Sequence, residues 1–147
     1  MQTPPTQIIG VTEMIVNVSG RPANMMNMLD SVITCFRKYV DFEGRASRSE
    51  YWWFYLFTWI LSLGGSVMDN MTDSGELFYW ITAIATFTPA IAAGARRLHD
   101  VNKSGWWQLI SGLPFVGIIG LIFLLIWWCT EGEKKKNKYG PPLKLKR

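Results

Sequence analysis

The chain has 147 residues, with 15 Lys and Arg against 11 Asp and Glu, a net charge of +4, and 49% hydrophobic residues. These totals fit one small soluble domain, but every charged residue and the single His lie outside three blocks of 18, 19 and 23 residues, at positions 51–68, 77–95 and 106–128. A soluble helix of such length keeps a charged face, whereas a charge at mid-bilayer costs about 2.5–3.5 kcal/mol. The pattern predicts three membrane spans. It excludes a secreted enzyme, a nucleic-acid-binding domain and a disordered chain.

The N-terminal part of the chain differs in composition from the rest. Residues 1–22 hold three of the seven prolines, which predicts a poorly ordered extension. The apolar run at 8–18 contains Glu13 and has no preceding positive charge, so we do not expect a cleaved signal peptide. Residues 23–50 form an amphipathic helix followed by a polar connector. This helix either packs on the membrane bundle or lies in the headgroup plane.

The first span begins with a capping pattern. The Ser47 hydroxyl can accept from the backbone N–H of Glu50, whose carboxylate can return to Ser47. Trp52 and Trp53 follow as expected interfacial anchors. The loop at 69–76 that ends this span is acidic and contains no Lys or Arg.

The second span contains Pro89. This residue lacks a backbone donor, so the carbonyl of Ala85 should lose its helical partner and the helix should kink. Nearby hydroxyl groups are expected to satisfy this carbonyl. They belong to Thr82, Thr86 and Thr88.

The third block lies between two tryptophan pairs, Trp106 with Trp107 and Trp127 with Trp128. Their separation of 21 residues corresponds to about 31 Å of helix, close to a bilayer core of about 30 Å. This match favours a single crossing. The alternative is a kinked or re-entrant segment broken at residues 112–114, which read Gly-Leu-Pro.

The positive charges do not settle the orientation. Four Lys or Arg lie between residue 23 and the first span, none in the first loop, three in the second loop and seven in the tail at 129–147. Three spans divide these charges equally between the two sides, so the positive-inside rule gives a tie. A hairpin in the third block would put all fourteen on one side. The side of the tail therefore stays open.

Charged residues flank the first two spans where both meet the same membrane surface. We expect them to form interhelical ion pairs that pin the spans together, or alternatively a phospholipid headgroup site. The set consists of Arg45, Arg48, Glu50, Arg96, Arg97, His99 and Asp100.

His99 beside Asp100 suggests an enzymatic base, but adjacent helical side chains point about 100° apart, and no nucleophile motif accompanies them. Cys35 and Cys129 are 94 positions apart and belong to no ligand cluster. We therefore predict no catalytic residue, no metal and no cofactor. The lysine run at 134–138 is interpreted as a topology signal and not as a nucleic-acid site.

Six motifs follow one another along residues 28–142. They are Phe42-x-Gly44-Arg45-Ala46-x-Arg48-x-Glu50-Tyr51-Trp52, Ala95-Arg96-Arg97-Leu98-His99-Asp100, Ser104-Gly105-Trp106-Trp107, Pro114-x-x-Gly117, Cys129-x-x-Gly132 and Asn137-x-Tyr139-Gly140-Pro141. In their order and spacing they resemble the YhaH-like family of small bacterial inner-membrane proteins, a domain of unknown function. The resemblance implies a multi-pass protein of the bacterial cytoplasmic membrane and brings no activity. Residues 1–27 fall outside it, which suggests a translation start at Met25, Met26 or Met28.

The predicted fold is an all-α membrane protein with an interfacial helix and a bundle of three spans. The predicted function is non-enzymatic association with itself, other membrane proteins or anionic lipid in the bilayer. The alternative is an oligomeric passive channel or transport component lined by hydroxyl side chains. Those are Ser62, Ser66, Thr82, Thr86 and Thr88.

Overall fold

A computed structural model describes residues 26–143. The helices are α1 (Met28–Arg37), α2 (Arg48–Thr72), α3 (Leu77–Asp100), a 3₁₀ helix (Gly105–Gly112) and α4 (Gly117–Cys129). Within 26–143 the extended pairing is limited to one isolated bridge between Asn137 and Gly140. The predicted all-α class is confirmed. The expected N-terminal extension lies outside the described residues.

Helix α1 packs on the long helices. The Asn27 side chain accepts from the backbone N–H of Asp30 at 2.8 Å and starts the helix. The buried Ser31 hydroxyl donates to the carbonyl of Glu50 in α2. The Phe36 ring lies 5.8 Å from that of Phe54, edge to face. These contacts favour the packed placement of the amphipathic helix over one that only covers the headgroup plane.

Helices α2 and α3 form an antiparallel hairpin. The Ser47 hydroxyl accepts from the Glu50 N–H at 3.0 Å, so the predicted N-cap forms. A Cβ at Gly65 would lie 3.1 Å from the backbone of Phe78, which shows how closely the helices approach. At the loop end, Asp69 accepts from the N–H groups of Phe78 and Tyr79 at 2.8 and 2.9 Å. This carboxylate supplies the acceptors that the first turn of α3 lacks.

Pro89 lies inside the continuous helix α3. The Tyr39 hydroxyl, just beyond α1, donates to the freed Ala85 carbonyl at 3.0 Å. The expectation that threonines serve this carbonyl is wrong for Thr86, whose hydroxyl bonds to the carbonyl of Thr82 at 2.8 Å. The hydroxyl of a residue distant in sequence therefore satisfies the backbone carbonyl that Pro89 leaves without a helical partner.

The third apolar block does not form one straight helix. It consists of the 3₁₀ helix, a turn in which Phe115 has φ +67°, and α4. The two pieces fold back on each other. They approach so closely that a Cβ at Gly120 would lie 2.5 Å from Cγ2 of Ile110. The Trp107 and Trp127 rings are 5.4 Å apart. The expected straight helix between the tryptophan pairs is therefore not formed, and the block folds as a hairpin broken near Gly112, the form that the alternative described.

Helix length separates the segments further. Within the described residues, α3 is the helix that combines the length and apolar composition needed to cross a bilayer, while α4 has only 13 residues. Helix α2 has 25 residues but is rich in Trp and Tyr, which lower its mean hydropathy. One helix thus meets the criterion where the sequence predicted three spans. The physical reason lies in the broken third block and in the aromatic composition of α2.

Candidate functional site

Five charged side chains are buried together where α2 begins and α3 ends. They are exposed by no more than 6% of their surface, and we call them the charged cluster. Ion pairs join Glu50 to Arg96, and Asp100 to both Arg45 and Arg97. All five belong to the set of charged residues that the sequence predicted to meet here. Buried charges of this kind need both opposite charges and hydrogen bonds.

Arg96 links α3 to α1. Its guanidinium contacts Glu50 Oε1 at 3.0 Å. It also donates to the carbonyl of Lys38 at 3.5 Å and to that of Asp41, just beyond the end of α1. Arg96 therefore holds the turn that follows α1 and neutralises Glu50.

Arg97 contacts the end of α4 instead. The last carbonyls of a helix lack internal partners and carry the negative end of its dipole, and Arg97 supplies donors to them. It donates to the carbonyl of Trp128 at 3.0 Å and to that of Thr130, at the end of α4. It also contacts Asp100 one turn along its own helix. Burial lowers the pKa of Arg97, and the Asp100 carboxylate opposes the shift. The adjacent arginines thus tie two different helices to α3.

Arg45 fastens the tail to the same cluster. It contacts Asp100 Oδ1 at 2.7 Å and donates to the carbonyl of Lys135 at 3.0 Å and to that of Glu133. The Glu133 N–H donates to the Asp100 carbonyl at 2.9 Å. The Asn137 amide donates to the carbonyl of His99 at 2.9 Å. The connector, the end of α3 and the tail therefore meet at one end of the molecule.

Three guanidinium groups face two carboxylates in this cluster. Carbonyl groups in the turn after α1, at the end of α4 and in the tail supply the remaining negative potential. Arg96 Nε has no hydrogen-bond partner among residues 26–143. The arrangement is specific, since each arginine is matched to a different segment of chain.

Arg48 is exposed, and its guanidinium lies 3.4 Å from the carbonyl of Cys129. The structure therefore puts it at the rim and not among the buried charges. Because Arg45, Arg96 and Arg97 donate to protein acceptors, they have few donors left for a phosphate. This geometry favours the ion-pair interpretation over a headgroup site at the cluster.

His99 does not pair with Asp100. Its Nδ1 lies 3.1 Å from the carbonyl of Gly44, and its ring stacks on Tyr139 at 3.7 Å. Both oxygens of Asp100 accept from arginines. The enzymatic arrangement considered from the sequence is therefore not formed. The imidazole instead fastens the connector and the tail to the end of α3.

Burial lowers the pKa of His99. The hydrogen bond to the Gly44 carbonyl opposes that effect, while the positive charges of Lys138 and Arg96 add to it. The ring is therefore neutral at physiological pH. In this state Nδ1 carries the proton that bonds to Gly44.

Cys35 lies beside the cluster, with its sulfur 4.0 Å from Arg96 Nη2. Burial raises the pKa of its thiol to about 12, with a further contribution from Glu50. The thiol thus stays protonated and unreactive. Both Cys35 and Cys129 are free thiols.

A pocket of 440 Å³ opens between α3, the 3₁₀ helix and the tail. His99, Ser104 and Tyr139 line its end near the charged cluster. Ile91 and Leu109 line the part that lies farther along the helices. Sequence reasoning missed this pocket, because the hairpin in the third block forms it.

Four of the six predicted tryptophan anchors contact another aromatic ring. Trp107 touches Trp127, as described above, and Trp128 lies 4.9 Å from Tyr51, which contacts Trp52 at 5.2 Å. Trp53 and Trp106 are exposed, by 40% and 79%. The two pairs of the third block therefore do not lie a bilayer apart.

Three of the five hydroxyl side chains proposed to line a channel donate within their own helices. Ser66 donates to the carbonyl of Ser62 at 3.1 Å, and Thr82 donates to that of Tyr79 at 2.8 Å. Thr86 is buried and bonds in the same way. Hydroxyl groups engaged like this offer little to a polar pathway.

The fold and this site define a class: a small helical protein with an apolar helix hairpin held at one end by buried charges. The chain belongs to the family described as "Protein of unknown function (DUF805)", whose model matches residues 39–141. It is 39% identical over 112 residues to "Inner membrane protein YhaI" of Escherichia coli K12, covering 74% of this chain and 90% of that protein. It is 36% identical over 122 residues to "Inner membrane protein YhaH" of the same strain, covering 80% and 98%. No solved structure matches the chain. The resemblance read from the motifs is confirmed.

Proposed function

We propose that this chain is a multi-pass protein of the bacterial inner membrane, with α2 and α3 as crossings and the third block as a re-entrant hairpin. It acts without catalysis. Its apolar faces associate with a second copy or with other membrane proteins, and its basic end associates with anionic lipid. The proposal depends on one observation. Charged side chains are buried at one end of the molecule, whereas apolar side chains are exposed along the helices.

The apolar exposure supports placement in lipid. Leu63 in α2 is 68% exposed, Ile84 in α3 is 69% exposed and Ile118 in α4 is 76% exposed. Monomeric soluble proteins rarely expose contiguous apolar patches larger than a few hundred Å². Hydrocarbon is the solvent in which such side chains carry no penalty. Both relatives are named inner membrane proteins, which supports the inner membrane as the location of this chain.

The charge distribution supports the orientation. The hairpin brings the connector, the turn after α3 and the described part of the tail to one end, which is the arrangement that gathers the eleven Lys and Arg of residues 26–143 on one side. The loop at the far end contains Asp73 and Glu76 and no positive charge. The positive-inside rule then puts both ends of the described chain in the cytoplasm.

The bonding of the charged cluster supports a role in association. Asp100 is saturated by arginines, and His99 bonds to a backbone carbonyl. These side chains rigidify the cytoplasmic end. A rigid end with unpartnered apolar faces suits a protein that docks against others in the bilayer.

Two experiments test the proposal. After an alkaline wash without detergent, the full chain should stay in the membrane pellet, and its release would reject the membrane placement. For association, a photoreactive amino acid at Leu63 or Ile84 should give discrete protein adducts in native membranes. The matched control is the same group at Glu43 in the exposed connector, which should give none. Equal adduct patterns at all three positions would reject docking through the apolar faces.

A further inference from the structure

The pocket described above is oriented like a lipid. From His99 to Ile91 it follows α3 over eight residues, which is about 12 Å of helix. Most of its wall is apolar, with Ile91, Ala95 and Leu109, and His99 and Ser104 supply the few polar groups at the end beside the charged cluster. Its volume of 440 Å³ falls in the range of about 300–1,000 Å³ common for ligand sites.

Two lysines are sequence neighbours of residues that line the His99 end of this pocket, Lys103 before Ser104 and Lys138 before Tyr139. The Lys138 ammonium is 4.9 Å from the ring centroid of Tyr139, which lines the pocket. The Lys103 ammonium is 5.2 Å from the ring of Trp127, and Lys103 precedes the lining residue Ser104. Neither lysine forms an ion pair within residues 26–143. An anion is the missing complement.

We propose that this pocket binds an anionic phospholipid, with one acyl chain along α3 and the phosphate between Lys103 and Lys138. The inference rests on the membrane placement proposed above. It moves the lipid site away from the buried arginines, whose donors bond to protein carbonyls and carboxylates. The polar end of the pocket then lies at the cytoplasmic surface, where headgroups lie, and the apolar end points into hydrocarbon.

Charge variants provide the first test. The full chain in mild detergent is given equal amounts of phosphatidylglycerol and phosphatidylcholine, and native mass spectrometry counts the retained lipid. The wild type should retain one phosphatidylglycerol in preference to phosphatidylcholine. Lys103→Gln with Lys138→Gln should reduce this retention about thirtyfold, because each lysine near a lipid surface contributes about 1 kcal/mol. The control with equal charge loss is Lys134→Gln with Lys136→Gln, in the exposed part of the tail, and it should retain the wild-type preference.

Volume variants provide the second test. Leu109, 65% exposed at the pocket wall, becomes Trp to fill the pocket, and Leu113, 53% exposed beyond the lining, becomes Trp as the control. Only Leu109→Trp should lower phosphatidylglycerol retention. Equal retention of the two lipids, or equal loss in both lysine pairs, would overturn the site. A chain that remains in the membrane pellet but shows either result refutes the lipid site alone, whereas release from the pellet refutes the membrane placement as well.

Discussion

Asp100 connects three separate segments of the chain. Its carboxylate meets Arg45 from the connector and Arg97 from its own helix, and its carbonyl accepts from Glu133 in the tail. The sequence suggested that these charges gather, because they flank two spans at one surface. It could not show which backbone carbonyls the arginines reach, since every residue carries one.

Asp100→Asn should strongly destabilise the fold. The change removes the negative charge opposite two buried arginines, and breaking a buried pair costs about 3–5 kcal/mol. Thermal unfolding in mild detergent measures it. The control is Glu131→Gln, which breaks the exposed 3.6 Å pair with Lys134 and should have little effect. Equal effects of the two variants would contradict the structural role of the buried pair.

His99 predicts a pH dependence at the tail. Because its pKa is lowered in the fold, the unfolded chain binds the proton more readily, so stability is complete above the ordinary pKa of 6.5 and falls as pH drops below it. Between pH 7.5 and 5.5 the tail should become more susceptible to trypsin at Lys138. His99→Gln should remove that change. A variant that keeps the wild-type pH dependence would show that another group is responsible.

The hairpin of the third block is the element that the sequence left undecided. The Gly-Leu-Pro break permitted it, and the spacing of the tryptophan pairs argued for a straight crossing. The choice depends on close contacts between residues distant in the chain, such as Ile110 against Gly120. The same holds for Tyr39, whose hydroxyl reaches the Ala85 carbonyl from the turn after α1. Local signals such as the Ser47 cap were predictable because both partners lie within one turn.

Gly117→Ala should loosen this hairpin. A Cβ at Gly117 would lie 2.6 Å from the backbone oxygen of Ser111, which cannot swing away as a side chain can. Crowding of this kind costs about 1–3 kcal/mol. Near-ultraviolet circular dichroism should weaken as the Trp107 and Trp127 rings separate. Gly112→Ala is the control, because its Cβ would meet no atom within 4 Å. An unchanged spectrum in Gly117→Ala would argue against the folded-back arrangement.

At the scale of the whole molecule, the buried charges and the hairpin have one joint consequence. They collect the connector, the turn after α3 and the tail at one end, and they leave the acidic loop before α3 at the other. Composition and charge-free blocks were enough to predict an all-α membrane protein, and the ordered motifs were enough to suggest its family. They were not enough to predict the topology. The same residues can form a straight or a folded third block, and these two forms put the tail on opposite sides of the membrane.

The most direct measurement is labelling of intact spheroplasts with a membrane-impermeant maleimide, in a Cys129→Ser background that retains the buried Cys35. Single substitutions Glu76→Cys, Lys103→Cys and Lys136→Cys report the loop, the turn and the tail. The account predicts that Glu76→Cys is labelled from outside and that the other two react only after lysis. Labelling of Lys136→Cys from outside, with Lys103→Cys protected, would mean that the third block crosses the membrane and would contradict the account.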